Sequence, residues 1–361
     1  MIRSLQLIDS LNSGGAERMA VNIANSLSRY GVESHICTTR AEGSLKSDID
    51  SAVGYFYLGK KAALDLKALK RLKSYIKNHK IEIIHAHGTS FFTAFLIGLL
   101  NFKVKIVWHD HFGNRPSDSN KIAAFVLRLC SLRFSLVYCV NVELEEWATK
   151  NLKSKKVKLL YNYPTQNNKV ETSLQGLEGK RILSLANLRE PKNHILLFKA
   201  FREVVNEFNE WTLHVVGKNY ADSYVHNLED FIEKHAMDNH IFIYGSKNDI
   251  SNIIRQSNIG VLSSTSEGLP MALLEYGLAG LPVITTDVGH CKELISDDTF
   301  GLLVPSEDKN ALTNAIRTFI RDQEYRATCA KNFQNKVQSD FSESKVIESI
   351  VKDYQLILES A

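Results

Sequence analysis

The chain has 361 residues, 44% of them apolar, with 44 Lys and Arg against 40 Asp and Glu for a formal net charge of +4. That length exceeds one ordinary hydrophobic core and suits two domains, while the near balance of charge excludes a dedicated nucleic-acid binder, so no nucleic-acid partner is expected. Five scattered cysteines, Cys37, Cys130, Cys139, Cys291 and Cys329, form no C-x-x-C pair, which argues against a disulfide framework or zinc site and for a reducing, cytoplasmic setting.

Taken from the start, short apolar runs alternate with longer amphipathic ones, the pattern of βα units around a parallel sheet. The N-terminus lacks a cleavable apolar core. The first strand, SLQLID, is followed by SGGAE, Ser13 to Glu17. Gly14 and Gly15 there let backbone amides approach a phosphate or an acceptor at a helix start. No G-x-G-x-x-G is present, and a lone double glycine is more often a tight turn. After the strand ESHICTT, the motif SDID (Asp48, Asp50) has a D-x-D spacing but no strand-to-helix context, so it is assigned to the surface.

The run Lys60–Lys80 carries seven lysines and one arginine at helical spacing, and residues 150–158 add five lysines. A solvated basic face explains such runs, and an anionic membrane surface is a candidate partner. The longest apolar run, FFTAFLIGLL at 91–100, is too short to span a bilayer. The strand IEIIHAH ends in His85 and His87, and KIVWHDH in His109, Asp110 and His111. Alternating positions on one short segment rarely close a metal site without spaced partners, so no metal is expected. A buried structural histidine is the plain reading of His85.

LVYCVN and VKLLYN complete a first domain placed at 1–168. The polar stretch Thr165–Lys180 reads as a linker. The alternation restarts with RILSLAN, TLHVVG, IFIYG, IGVLSS and PVITTD in a second domain at 178–342, and a last helical segment, about 343–361, can pack back on the first. The fold class expected is α/β, with two Rossmann-like, doubly wound parallel-sheet domains whose strand ends face a central cleft.

In the second domain IGVLSST is a strand, SEGLP its loop and MALLEYGLAG a helix begun at Pro270 and stopped at Gly280. Glu267 then lies beside the amides of Gly268 and Leu269, where a helix dipole favours an anion. If phosphates dock on those amides, Glu267 can contact sugar hydroxyls and Glu275 a ribose diol. The plain alternative is a helix cap and a solvated helix residue.

The segment SEGLPMALLEYGLAGLPVITTDVGH resembles the E-x7-E donor signature of retaining GT-B glycosyltransferases of family four, the glycosyl transferases group 1 type. The likeness extends over nearly the whole chain, through NSGGAERMAVNIANSLSRYGVES, IEIIHAHG, ILSLANLREPKNHILLFKAF and GLLVPSEDKNAL. It implies the GT-B fold, with the acceptor side in the first domain and the nucleotide-sugar site in the second. It places Glu267 against the donor sugar, Glu275 on the nucleotide ribose, and the backbone of Gly268 and Leu269 on sugar and phosphate. The family's Gly-Arg pair is Ala186-Asn187 here, so Arg189 and Lys192 are assigned to the diphosphate. His109 falls near the donor sugar and reacting centre, with His111 as its alternative. Tyr244 and Gly245 lie where the base is met, and the family position brings Gly14 and Gly15 to the donor cleft.

The resemblance implies a retaining, metal-independent and cofactor-free hexosyltransferase or related enzyme. It would move sugar from a nucleotide sugar to a glycan hydroxyl, with a lipid-linked oligosaccharide as acceptor in surface polysaccharide synthesis at the inner face of the cell membrane. Two other readings are a sugar-nucleotide 2-epimerase of the same fold, which needs no acceptor, and a non-catalytic nucleotide- or glycan-binding subunit, for which the altered Gly-Arg position leaves room.

Overall fold

The computed structural model describes residues 1–12, 14–112, 121–166 and 169–360, so Ser13 lies outside the described residues. In chain order the elements are β1 (Arg3–Ile8), α1 (Gly15–Arg29), β2 (Glu33–Thr38), β3 (Gly54–Tyr57), α2 (Leu66–Asn78), β4 (Ile83–His87), α3 (Phe91–Leu100), β5 (Lys105–Asp110), α4 (Lys121–Cys130), β6 (Phe134–Cys139), α5 (Val142–Asn151) and β7 (Val157–Leu159). There follow β8 (Arg181–Leu185), α6 (His194–Val205), β9 (Thr212–Val216), α7 (Ser223–Lys234), β10 (Ile241–Ile243), α8 (Ile250–Arg255), β11 (Ile259–Leu262) and α9 (Met271–Ala279). The chain ends with β12 (Val283–Thr286), α10 (Cys291–Leu294), β13 (Leu302–Val304), α11 (Lys309–Arg321), α12 (Gln323–Asp340) and α13 (Glu343–Glu359).

Two compact units result, Met1–Tyr163 with Glu343–Ala361, and Pro164–Ser342. The first holds a seven-stranded parallel sheet in the order β3-β2-β1-β4-β5-β6-β7. The second holds a six-stranded parallel sheet in the order β10-β9-β8-β11-β12-β13. The central strands are buried on both faces because helices cover both, as the α/β, doubly wound expectation required. Strands β3 and β13 were not anticipated. Each is a sheet edge, of four and three residues, so neither carries the long apolar run that marks a central strand.

Helix α2 shows why the lysine-rich run folds. Asp65 caps it by accepting the Ala68 amide at 3.0 Å, and Ala68, Leu69, Leu72 and Ile76 form its buried stripe while Lys67, Lys70, Lys73 and Lys77 stay exposed. Helix α13 belongs to the first unit. Its Val346, Ile347, Ile350, Tyr354 and Ile357 bury against Met19, Ile23 and Leu27 of α1 and Ile83, Val107 and Leu136 of the sheet, each large apolar side chain contributing roughly 1.5–3 kcal/mol. Asp353 on this helix accepts from Lys158 Nζ and the Tyr138 hydroxyl, both at 2.7 Å.

Thr165–Lys180 has neither helix nor strand among the described residues, yet it is fastened to the second unit. Asp249 accepts the amides of Glu171 at 2.9 Å and Thr172 at 2.6 Å, and Gln256 accepts that of Leu174 at 3.0 Å.

Candidate functional site

An open parallel sheet binds ligands where its strand order reverses, beyond the carboxyl ends of the strands. In the second unit that point lies between β8 and β11. The loop after β8 carries Asn187 to Asn193, and the loop after β11 carries Ser263 to Leu269. The two loops are laced together: Thr265 N donates to Pro191 O at 2.8 Å, and Ser263 Oγ meets the carbonyls of Lys192 and Asn193 at 3.1 and 3.2 Å.

That lacing brings Lys192 and Glu267 together. Lys192 Nζ lies 2.6 Å from Glu267 Oε1, and Ser264 Oγ donates to the same oxygen at 2.5 Å. The two side chains retain 21% and 7% exposure, so water screens the pair little. Thr286, at the end of β12, donates to the Ser264 carbonyl at 2.6 Å and so anchors Glu267's support to a third strand. Gly289 closes the arrangement. Its φ is +52°, and a Cβ there would overlap the Glu267 carbonyl oxygen.

Other expected residues are placed as follows. Pro270 is the N-cap of α9 rather than its first helical residue, and Gly280 ends the helix in the left-handed region at φ +73°. The amides of Gly268 and Leu269 donate to no carbonyl among the described residues. Glu275 is half-buried on α9, beside Tyr276, whose hydroxyl accepts the Leu185 amide at 2.7 Å and pins the end of β8. Arg189 is exposed and outside the Lys192–Glu267 pair.

Asn187, at the family's arginine position, accepts the Lys218 amide at 2.9 Å through its side chain, and a Cβ on the neighbouring Gly217 would overlap the Ala186 carbonyl. Gly217 N donates to Gly245 O at 3.1 Å, which aligns the ends of β9 and β10. The Tyr244 hydroxyl is taken up by His214 Nδ1 and the Gln175 amide, each at 3.0 Å, and its own amide donates to the Val215 carbonyl at 3.0 Å. Ser264, Thr286, Gly217 and Gly289 escaped the sequence reading. Only their three-dimensional neighbours reveal them.

In the first unit the strand order reverses between β1 and β4. A pocket of about 190 Å³ sits there, lined by Ile8, Asp9, Ala16, Glu17, His87, Gly88, Thr89, His111 and Phe112. Glu17 folds back over the first turn of α1, so that a Cβ on Gly14 would overlap its carboxylate. The helix start expected to meet a phosphate or an acceptor thus has the Glu17 carboxylate beside Gly14. Burial, and secondarily the charge of Asp9, raises the Glu17 carboxyl above its ordinary range. Gly15 is exposed with open space around it.

His109 does not line the pocket; His111, two residues on and past the strand end, does. His109 lies beneath, 1% exposed, in a layer with His85 and His87. His85, His87 and His109 bring one ring nitrogen each within 4.8 Å of one another, a donor set of the type Zn²⁺ accepts. Both nitrogens of His85 and His87 are hydrogen-bonded in the structure, His85 to Tyr354 at 2.8 Å and His109 at 3.2 Å, His87 to His111 at 2.8 Å and Gln6 at 2.9 Å, while His109 is bonded through Nδ1 alone.

The family model for glycosyl transferases group 1 matches residues 165–336, and that for glycosyltransferase family 4 matches residues 13–163. The chain belongs to the group 1 glycosyltransferases. Its fold is that family's GT-B fold. A glycosyltransferase from Rickettsia africae superposes with TM-score 0.81 at 17% identity over 100% of both chains. The Anabaena protein HepE, solved with UDP and glucose, superposes with TM-score 0.80 at 20% identity over 98% of this chain and 99% of its own. Among curated relatives, the Escherichia coli O-antigen biosynthesis glycosyltransferase WbnH is 27% identical over 87% of this chain and 89% of its own. An Escherichia coli UDP-Gal:alpha-D-GlcNAc-diphosphoundecaprenol alpha-1,3-galactosyltransferase is 23% identical over 86% of each. No helix among the described residues is long and apolar enough to cross a membrane.

Proposed function

We propose that the protein moves a sugar from a nucleotide-sugar donor to a hydroxyl of a lipid-linked glycan acceptor in surface polysaccharide assembly, retaining the anomeric configuration. The observation that carries this reading is the Lys192–Glu267 pair, a cation and carboxylate 2.6 Å apart where the second sheet reverses its strand order. Lys192 neutralises the leaving diphosphate, and Arg189 on the same loop adds a second charge. Glu267 orients Lys192 and faces the donor sugar. Gly268 and Leu269 offer amides, Glu275 takes the ribose hydroxyls, and the backbone at Tyr244 and Gly245 meets the base. The bond from the anomeric carbon to the diphosphate breaks as the acceptor oxygen bonds on the same face, and the acceptor proton passes to the diphosphate. With side chains supplying the positive charge, the proposed reaction takes no cofactor and no metal ion.

Incubation with a panel of nucleotide sugars and a polyprenyl-diphosphate-linked glycan, read by mass spectrometry, tests this. Mass gained by the acceptor supports it; an epimerised donor or binding alone supports one of the other readings. Glu275→Ala is expected to weaken binding of the free nucleoside diphosphate about tenfold or more, the loss of a charged hydrogen bond. Unchanged affinity in calorimetry removes Glu275 from the ribose role.

One observation favours a second stereochemical reading. Glu17, a carboxyl raised by burial, lines the first unit's pocket with His111 and has the character of a general base, which an inverting transferase requires.

The exposed lysines of α2 lie beside Leu64 and Leu66, and the helices packed next in line, α3 and α4, expose Leu99, Leu100, Ile122, Phe125 and Leu129. Such a basic and apolar face suits an anionic membrane surface, each lysine contributing roughly 1 kcal/mol. Replacing Lys67, Lys70, Lys73 and Lys77 with Gln is expected to cut cosedimentation with anionic vesicles and to flatten its salt dependence. Unaltered binding assigns the lysines to solvent.

A further inference from the structure

Six side chains on one face of the first unit's sheet form an almost closed hydrogen-bonded circuit. His111 Nε2 meets His87 Nδ1 at 2.8 Å, His87 Nε2 meets Gln6 Oε1 at 2.9 Å, and Gln6 Nε2 donates to the Tyr354 hydroxyl at 3.4 Å. The Tyr354 hydroxyl meets His85 Nδ1 at 2.8 Å, and His85 Nε2 meets His109 Nδ1 at 3.2 Å. The two ends, His109 and His111, have ring centroids 4.0 Å apart. Their remaining nitrogens, His109 Nε2 and His111 Nδ1, are buried without a hydrogen-bond partner among the described residues. Burial holds all four imidazoles far below their ordinary range, His85 and His111 at about 3, so each ring is neutral with a single N–H.

One N–H per ring makes the circuit directional. With Gln6 Oε1 facing His87, the His87 proton must sit on Nε2, so His111 donates from Nε2 and keeps a lone pair on Nδ1. Along the other arm Gln6 donates to Tyr354, Tyr354 to His85 and His85 to His109, which leaves His109 a free N–H on Nε2. Turning the Gln6 amide over reverses every link. Both end rings then carry their proton on Nδ1. In either state the two free nitrogens are opposite in kind: one donates, the other accepts. A hydroxyl satisfies such a pair, because it accepts from one group and donates to another. A phosphate or carboxylate oxygen would leave the lone pair unmatched, and a cation would leave the N–H unmatched.

We propose that Tyr354, carried by the C-terminal helix, is a positioning residue that joins the two arms of this circuit and so holds His109 and His111 as a matched donor and acceptor for one hydroxyl. A sugar hydroxyl and an ordered water share this chemistry. Assigning the hydroxyl to a sugar rests on the function proposed above; the coupling through Tyr354 does not.

Nitrogen NMR of the full chain labelled with ¹⁵N-histidine tests the coupling, since protonated and bare imidazole nitrogens resonate far apart. The wild type is expected to show His109 and His111 in the same tautomer. Tyr354→Phe cuts the circuit at its centre, and the loss of a single shared tautomer is expected at the two rings. Gln6→Met cuts the neighbouring link with little change of volume and is expected to act alike, which decides the matter if Tyr354→Phe does not fold. Opposite tautomers in the wild type, or tautomers untouched by the substitution, overturn the proposal. His109 and His111 signals that move when the nucleotide-sugar panel is added assign the hydroxyl to a sugar, and unmoved signals assign it to water. Coupled tautomers in a protein that transfers no sugar would refute the proposed function and leave this inference standing.

Discussion

Lys192→Met is expected to lower turnover about 10²–10³-fold, the usual cost of removing one preorganised group that stabilises charge in a transition state. Donor binding should weaken far less, because charge on the diphosphate oxygen grows as its bond to the sugar breaks. The substitution has a second effect that must be separated from the first. It leaves Glu267, 7% exposed, with the Ser264 hydroxyl as its hydrogen-bond donor, and an uncompensated carboxylate of that burial destabilises the fold. Adding Glu267→Gln to Lys192→Met removes the stranded charge. The double variant should regain thermal stability and stay inactive. Recovery of turnover along with stability would reduce Lys192 to a structural partner of Glu267.

Gly289→Ala is expected to be nearly as damaging, without touching a charged group. At φ +52° a side chain already costs roughly 1 kcal/mol. The larger effect is steric, because the new Cβ would occupy the position of the Glu267 carbonyl oxygen and the loop after β11 must move. A displacement of about 1 Å in a positioned group costs on the order of 10²-fold in rate. We expect kcat/KM to fall by that factor with only a modest loss of stability. Gly31→Ala is the matched control, since Gly31 shares the left-handed backbone at φ +78° and a Cβ there meets nothing within 4 Å. Equal activity of the two variants would show that the Glu267 backbone position is unimportant to the reaction.

Much of the fold was legible in the sequence because a strand buried on both faces is a continuous apolar run. RILSLAN and TLHVVG each announce one; the edge strands β7 and β10 sit within the apolar runs VKLLYN and IFIYG, whereas the edge strands β3 and β13 were not recognised. The Lys192–Glu267 contact links residues 75 apart, and the family resemblance gave the two residues separate roles, on the diphosphate and against the donor sugar, without pairing them. The supports of that contact, Ser264 and Gly289, had no such signal. A serine and a glycine in loops have no distinguishing pattern until the atoms around them are known.

The histidines show a different limit. Alternation places His109 and His111 on one face of β5, but the point at which the strand ends decides which reaches the pocket. Sequence period does not encode that point. Glu17 is a local case: its carboxylate closes on Gly14 three residues back, within one helical turn, and the sequence reading of the double glycine, a phosphate or acceptor approach or a tight turn, gave that glutamate no part.

The central claim is transfer on one face of the sugar, with positive charge at Lys192 supporting a diphosphate that takes the acceptor proton itself. Proton NMR of the product formed from an α-linked nucleotide sugar tests it most directly. An anomeric coupling characteristic of an α-linked product is expected. A β-linked product would contradict it, and would transfer the role of base to a carboxyl such as Glu17.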